Sequence, residues 1–144
     1  MNRSFTESSS EDRPFLEALD LCIVHSHQKQ VIEKRLAALL DPIDPATLHQ
    51  YTLPPRSPVE LHYHEVDEYW WFTSGSPIVT LWSRASGLRE YQLAPGDLVA
   101  CLRGVAHTLW ADHTLVYFQF SSVPRPNARR NHLTEGLPTI PAES

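Results

Sequence analysis

Leu61-His62-Tyr63-His64-Glu65-Val66-Asp67-Glu68-Tyr69-Trp70-Trp71-Phe72-Thr73-Ser74-Gly75 reads as a strand, a tight corner and a second strand. Side chains alternate faces along a strand, so His62 and His64 point the same way. Val66-Asp67 lies at the corner. Glu68 then re-enters a strand, from which its carboxylate swings back toward the two imidazoles. The reading predicts a hairpin with legs over about 59–64 and 67–73. Two imidazoles and one carboxylate converging from such a hairpin make a partial metal shell. A further ligand has to come from elsewhere, and the best candidate is His107, which follows the turn-rich run Pro95-Gly96-Asp97 to Arg103-Gly104.

The pattern His62-x-His64-x3-Glu68-x6-Gly75 resembles the first motif of the cupin superfamily at each defining position. The second cupin motif is matched in part. Gly96, Gly104 and His107 are kept, whereas Leu102 stands where proline is usual and Ala111 where asparagine is usual. The departures leave the ligand set intact and imply a different local turn and pocket wall. The resemblance covers roughly residues 47 to 121. It implies an all-β fold, a double-stranded β-helix of the jelly-roll type, with a short N-terminal helical segment. It implies one bound divalent metal held by His62, His64, Glu68 and His107, with Fe(II) or Mn(II) favoured and Zn(II), Ni(II) or Co(II) as alternatives. A homodimer is implied too, with Tyr69 and Trp71 as candidates for burial in its contact. The fold hosts many unrelated chemistries, so the resemblance does not choose the reaction.

Composition narrows the classes. A chain of 144 residues fits one domain with a sizeable core. Net charge is -5, and no basic run is longer than Arg129-Arg130, which argues against a nucleic-acid partner. No apolar run approaches the ~20 residues of a membrane helix, so no membrane partner is expected. Met1 to Thr6 is polar and lacks an apolar signal core, so the expected location is the cytoplasm. Cys22 and Cys101 are too few for a disulfide scaffold and read as small apolar residues.

Along the chain, residues 1–13 are polar and aperiodic, and the reading predicts disorder there. Residues 14–46 read as a helical extension. Pro14 to Leu19 starts a short helix. Ser26 is an N-cap for an amphipathic helix from Gln28 to Leu40, with Ile32, Leu36, Leu39 and Leu40 on one face. Leu21 to Val24 is an apolar run of either type. His25-Ser26-His27 is a second His-x-His without an acidic partner at the right spacing, and it reads as structural or surface. Short strands with regular turn signals then fill 47–121, as in a sandwich or barrel. Residues 122–144 form a proline-rich tail, predicted to be irregular and wrapped on the surface or on a partner subunit.

Three imidazoles and a carboxylate leave one or two positions on a five- or six-coordinate ion for water or substrate. Alternation from Glu68 places Trp70 and Phe72 on its face. The same count puts Leu109 with His107, and Tyr117 with Gln119 on the last strand. These five are the candidate substrate wall for a small molecule. Some cupin lyases carry a tyrosine base two residues after the metal-binding Glu; this chain has Trp70, which cannot take a proton. No catalytic acid or base stands out. Glu65 and Asp67 at the corner are the alternative bases but read first as solvated turn acids, and Arg84, Arg89 and Arg103 could bind an anionic substrate but read first as solvated surface residues. The leading expectation is a metal-dependent enzyme of non-haem iron oxygenase type. The alternatives are a metal-dependent isomerase, epimerase or lyase, and a non-catalytic small-ligand-binding cupin.

Overall fold

A computed structural model describes residues 19–26, 34–38, 40–129 and 132–138. The disorder expected over 1–13, the helix start at Pro14, His27, and most of the helix expected from Gln28 lie outside the described residues. Of that helix the structure describes one turn, α1, Lys34–Ala37. Leu36 is buried and Leu40 half-buried against the main core. A 3-10 turn, Leu19–Cys22, leads directly into β1, Ile23–Val24, so the apolar run there divides between two local structures.

The strands that follow are β2 (Ile43–Leu53), β3 (Glu68–Ser74), β4 (Ile78–Ser83), β5 (Gly87–Gln92), β6 (Leu98–Cys101), β7 (Ala106–Trp110) and β8 (Leu115–Ser122). They form two sheets, β1-β6-β3-β8-β2 and β5-β4-β7, and every ladder is antiparallel. This is the all-β jelly-roll architecture. Apolar side chains fill the space between the sheets. Phe72, Val79, Leu81, Val99, Cys101 and Leu115 are all fully buried. Burial of each of the larger apolar side chains is worth about 1.5–3 kcal/mol.

The strand read as 47–53 begins earlier, at Ile43, and runs through Pro45. An edge strand tolerates proline because one side of its ladder is unpaired. Its register against β8 shifts between Asp44 and His49, where the chain bends.

Glu68 does not return on a hairpin. The leg before the corner pairs with β7 instead, through the bridge between His62 and His107. It thereby extends the three-stranded sheet, while β3 lies in the middle of the five-stranded one. The corner at 65–67 carries the chain from one sheet to the other. Asp67 holds it. Its carboxylate accepts from the N–H groups of Arg103 (3.0 Å) and Asp41 (3.1 Å), and its own N–H donates to Ser122 Oγ (2.9 Å). Asp67 is fully buried, so the expectation of a solvated turn acid is wrong for it. Arg103 is buried as well, 3.5 Å from Asp41, whereas Arg84 and Arg89 are exposed as expected.

Gly75 ends β3 at φ +96°, and a Cβ there would lie 2.6 Å from Leu115 Cδ2. Only glycine fits both the backbone and the space. Pro95-Gly96 forms the expected turn, with Gly96 at φ +95° and Asp97 N–H donating to Ala94 O (3.0 Å). His25 is structural: its ring lies 3.1 Å from the Asp97 carboxylate. Tyr69 is buried and stacked on Phe120, so it has its cover within the chain, while Trp71 is exposed and stacked on Phe118. No described helix is long and apolar enough to cross a membrane.

The C-terminal tail is not merely wrapped on the surface. Tyr63 and Leu133 exchange both backbone hydrogen bonds, at 2.9 and 3.0 Å. Leu133 is buried with Leu61, Tyr63 and Ala106 in a second, smaller apolar cluster, with Trp82 and Leu137 packed against it. The tail therefore adds a rung to the three-stranded sheet, beyond the 61–63 leg.

Candidate metal centre

The two sheets bring His62, His64, Glu68 and His107 together at one end of the barrel interior. His107 is placed by β7, whose N–H donates to His62 O at 2.8 Å. His64 is pinned from behind by the Gly104 N–H, which donates to its carbonyl at 2.9 Å. Glu68 opens β3 and crosses the gap from the other sheet. His64 Nε2 lies 3.3 Å from Glu68 Oε1, and His107 Nε2 lies 3.8 Å from Glu68 Oε2. The donor atoms of His64, Glu68 and His107 all fall within 4.8 Å of one another. Neighbouring ligand atoms around an ion at ~2.1 Å are about 3 Å apart, so small side-chain rotations close the shell.

The histidine tautomers are set for coordination. His62 Nδ1 donates to Glu60 O (2.6 Å) and His107 Nδ1 donates to Val105 O (3.1 Å). A carbonyl only accepts, so each Nδ1 carries the proton and each Nε2 presents a lone pair inward. His107 Nε2 is buried and has no hydrogen-bond partner among the described residues. An orphaned acceptor of this kind is costly unless something occupies it. Burial lowers the pKa of His62, and burial together with the neighbouring His62 and His64 holds His107 well below the usual range. Both rings are thus neutral, as a ligand must be. Burial raises Glu68 to about 7, against the hydrogen bond from Trp70 Nε1 to its Oε2 (2.7 Å). The neutral rings of His62 and His107 offer the buried Glu68 carboxylate no countercharge, and a divalent cation would supply one. The residues fit a metal ion.

A cavity of about 410 Å³ opens on this cluster. Trp70, Leu109, Tyr117 and Gln119 line it, together with Ser121, Thr47 and Asp44. Trp70 stands edge-on to His107, with ring centroids 5.1 Å apart. Tyr51 stacks on Tyr117, with ring centroids 5.7 Å apart. Phe72 is not part of the wall. It is fully buried behind Trp70 and Tyr117, because strand alternation put it on the inner face one rung deeper, in the core.

No protein-family model matches the chain, and no curated protein matches it in sequence. Solved structures do. The oxalate decarboxylase of Lactobacillus farciminis, in a formate complex, superposes with a TM-score of 0.50 at 19% identity, over 70% of this chain and 30% of that one. The Bacillus subtilis oxalate decarboxylase, studied for its Mn(II) centres, gives 0.50 at 18% identity, over 75% of this chain and 26% of that one.

The fold is that of the cupins.

A Streptococcus pyogenes protein of unknown function also matches, with a TM-score of 0.47 at 18% identity, over 54% of this chain and 64% of that one. The chain spans less than two thirds of the length of each of these three solved chains.

Within this cupin barrel one residue at the cluster escaped the sequence reading. His132, from the tail, stacks on His62 with ring centroids 4.0 Å apart and an interplanar angle of 15°. Its ring is 5.0 Å from that of His64, and the donor atoms of His62, His64 and His132 also lie within 4.8 Å of one another. Register explains the placement. Tyr63 pairs with Leu133 in an antiparallel bridge, which puts residue 132 opposite residue 64. Sequence offers no motif for a bridge of this size. Glu65, read as a solvated acid, is buried and fixes the same tail. Its carboxylate accepts from the backbone N–H of Arg129 at 2.6 Å and from Nε at 2.8 Å.

Proposed function

We propose that this cupin is a divalent-metal-dependent enzyme acting on a small polar metabolite, with His62, His64, Glu68 and His107 as ligands. One observation carries the reading: the buried Nε2 of His107 lacks a partner among the described residues and converges on Glu68 and the His64 imidazole. Fe(II) and Mn(II) suit this nitrogen and carboxylate set, and the solved Bacillus subtilis decarboxylase is a Mn(II) protein. When bound, the ion supplies open coordination positions for substrate and either a redox step with O2 or Lewis-acid polarisation.

The chain's own residues bind, orient and exclude water. Trp70 Nε1 fixes the Glu68 carboxylate and so orients a ligand oxygen. Trp70 and Leu109 form an apolar wall beside the ligands, and Gln119 and Ser121 offer hydrogen bonds to hydroxyl or carbonyl groups. The described lining holds no lysine or cysteine. Burial raises the Tyr117 phenol to about 12, with the nearby Glu68 adding to the effect, so Tyr117 donates and does not act as a base at neutral pH. The Trp70, Leu109 and Tyr117 side of the cavity carries no base at neutral pH, which supports oxygenase chemistry centred on the ion as the first reading. The Mn(II) decarboxylase likeness supports a second, an isomerase or lyase.

The test is a screen of small hydroxy- and keto-acids, sugars and phenols against protein reconstituted with Fe(II) or Mn(II), run with and without O2. Turnover with matching O2 uptake is expected. Turnover that persists without O2 would replace the oxygenase by the isomerase or lyase. Ligand-raised melting temperatures with no product from any compound would leave a binding protein.

A further inference from the structure

The tail contributes to the cluster from outside the motif that gives the other ligands. Leu133 is tied to Tyr63 by two backbone hydrogen bonds and buried in the second apolar cluster. Strand alternation then turns the preceding side chain, His132, to the opposite face, toward His62 and His64. The tail is anchored on both sides of that ring. Arg129 meets Glu65 upstream, and its Nη1 reaches Glu135 downstream at 2.9 Å. Further back, Arg125 forms a two-point contact with Asp41, at 3.0 and 3.2 Å. His132 thus lines the cavity although the residue as a whole is exposed.

We infer that His132 is a fifth protein ligand, and that metal binding fastens the C-terminal tail across the cavity mouth. The inference rests on the metal-dependent reading above. His62, His64 and His132 form a second triad of donors that shares two members with the main set. An ion held by the main four ligands is therefore within reach of His132 after a modest rotation of an exposed ring. With His132 attached, a six-coordinate ion keeps one open position. The tail carries Pro124, Arg129 and His132 into the cavity wall, so fastening it narrows the entrance.

The test uses the full chain, stripped with chelator and titrated with Co(II) and Zn(II) alone. His132→Ala and His132→Gln are compared with wild type and with His107→Ala. The readouts are affinity, the visible Co(II) spectrum, and hydrogen exchange at the Leu133 amide, which donates to Tyr63 O. Both His132 variants are expected to bind about tenfold more weakly and to shift the Co(II) bands as a nitrogen is replaced by water. Metal should slow Leu133 exchange in wild type but not in either variant. Unchanged affinity, spectrum and exchange in the His132 variants, with binding still lost in His107→Ala, would overturn the fifth ligand and leave the metal centre standing. No binding by wild type would overturn both.

Discussion

His107 and His132 face the same cluster from supports of different strength. His107 lies inside β7, between β4 on one side and the 61–63 leg on the other, and is fully buried. His132 rides on one isolated bridge at the sheet margin, and its ring is exposed. Backbone pairing on both edges and burial fix the first ring before any ion arrives. The second depends on Leu133, on Glu65 and on whatever the ring itself binds. The contrast separates a preorganised part of the site from a part whose position is conditional.

The largest effect should come from the preorganised part. His64→Ala is expected to weaken metal binding by at least about 100-fold, beyond the usual cost of losing a supporting contact. The barrel core does not use that imidazole, so circular dichroism and cooperative urea unfolding of the metal-free variant should match wild type. A collapse of the fold would make the ion structural and erase the distinction.

Leu133→Ala should act on the conditional part. Truncating a buried leucine costs roughly 2–5 kcal/mol, and the low end is expected here because the second cluster is small and lies at the margin. Urea unfolding gives the size. Hydrogen exchange should show the loss at 132–138 first, with β3 and β8 unchanged. Equal loosening of the whole barrel would contradict the separation.

How much of this was legible in sequence divides along the same line. His62, His64, Glu68 and His107 stand at the spacings of a strand and a corner, and the structure brings all four together. Trp70, Leu109, Tyr117 and Gln119 followed from alternation and line the cavity. Phe72 obeyed the same alternation yet sits in the core, because a period of two gives the face but not the depth. The hairpin expectation failed because a corner of three residues can turn back on its own strand or cross to another sheet. Asp67, which ties the corner to Arg103, Asp41 and Ser122, decides it through contacts far away in sequence. His132 was illegible because a one-residue bridge has no period at all.

Asp97 tests the barrel at the rim away from the tail. Burial pushes its carboxyl pKa up, but the N–H groups of Ser26 and Ala94 and the His25 ring more than offset this and hold it low. Its folded pKa lies below the ordinary 3.8. The stabilisation is therefore present above that value and is lost as pH falls through the folded one. Asp97→Asn should cost about 1–3 kcal/mol at pH 7, and urea titrations should show the gap closing below about pH 4. A gap independent of pH would assign the loss to packing instead of charge. The smallest effect is expected for Glu135→Gln, which removes one exposed contact to Arg129. Stability and tail exchange should stay within error, since such exposed pairs contribute little. A clear loosening of the tail would give that ion pair a larger share in anchoring His132 than Leu133 and Glu65.

The most direct test of the metal centre is elemental mass spectrometry of untagged protein purified without chelator, beside His107→Ala. Close to one divalent ion per chain is expected in wild type, and its loss in the variant. A wild type that holds no metal, even after reconstitution with Fe(II), Mn(II), Co(II), Ni(II) and Zn(II), would contradict it.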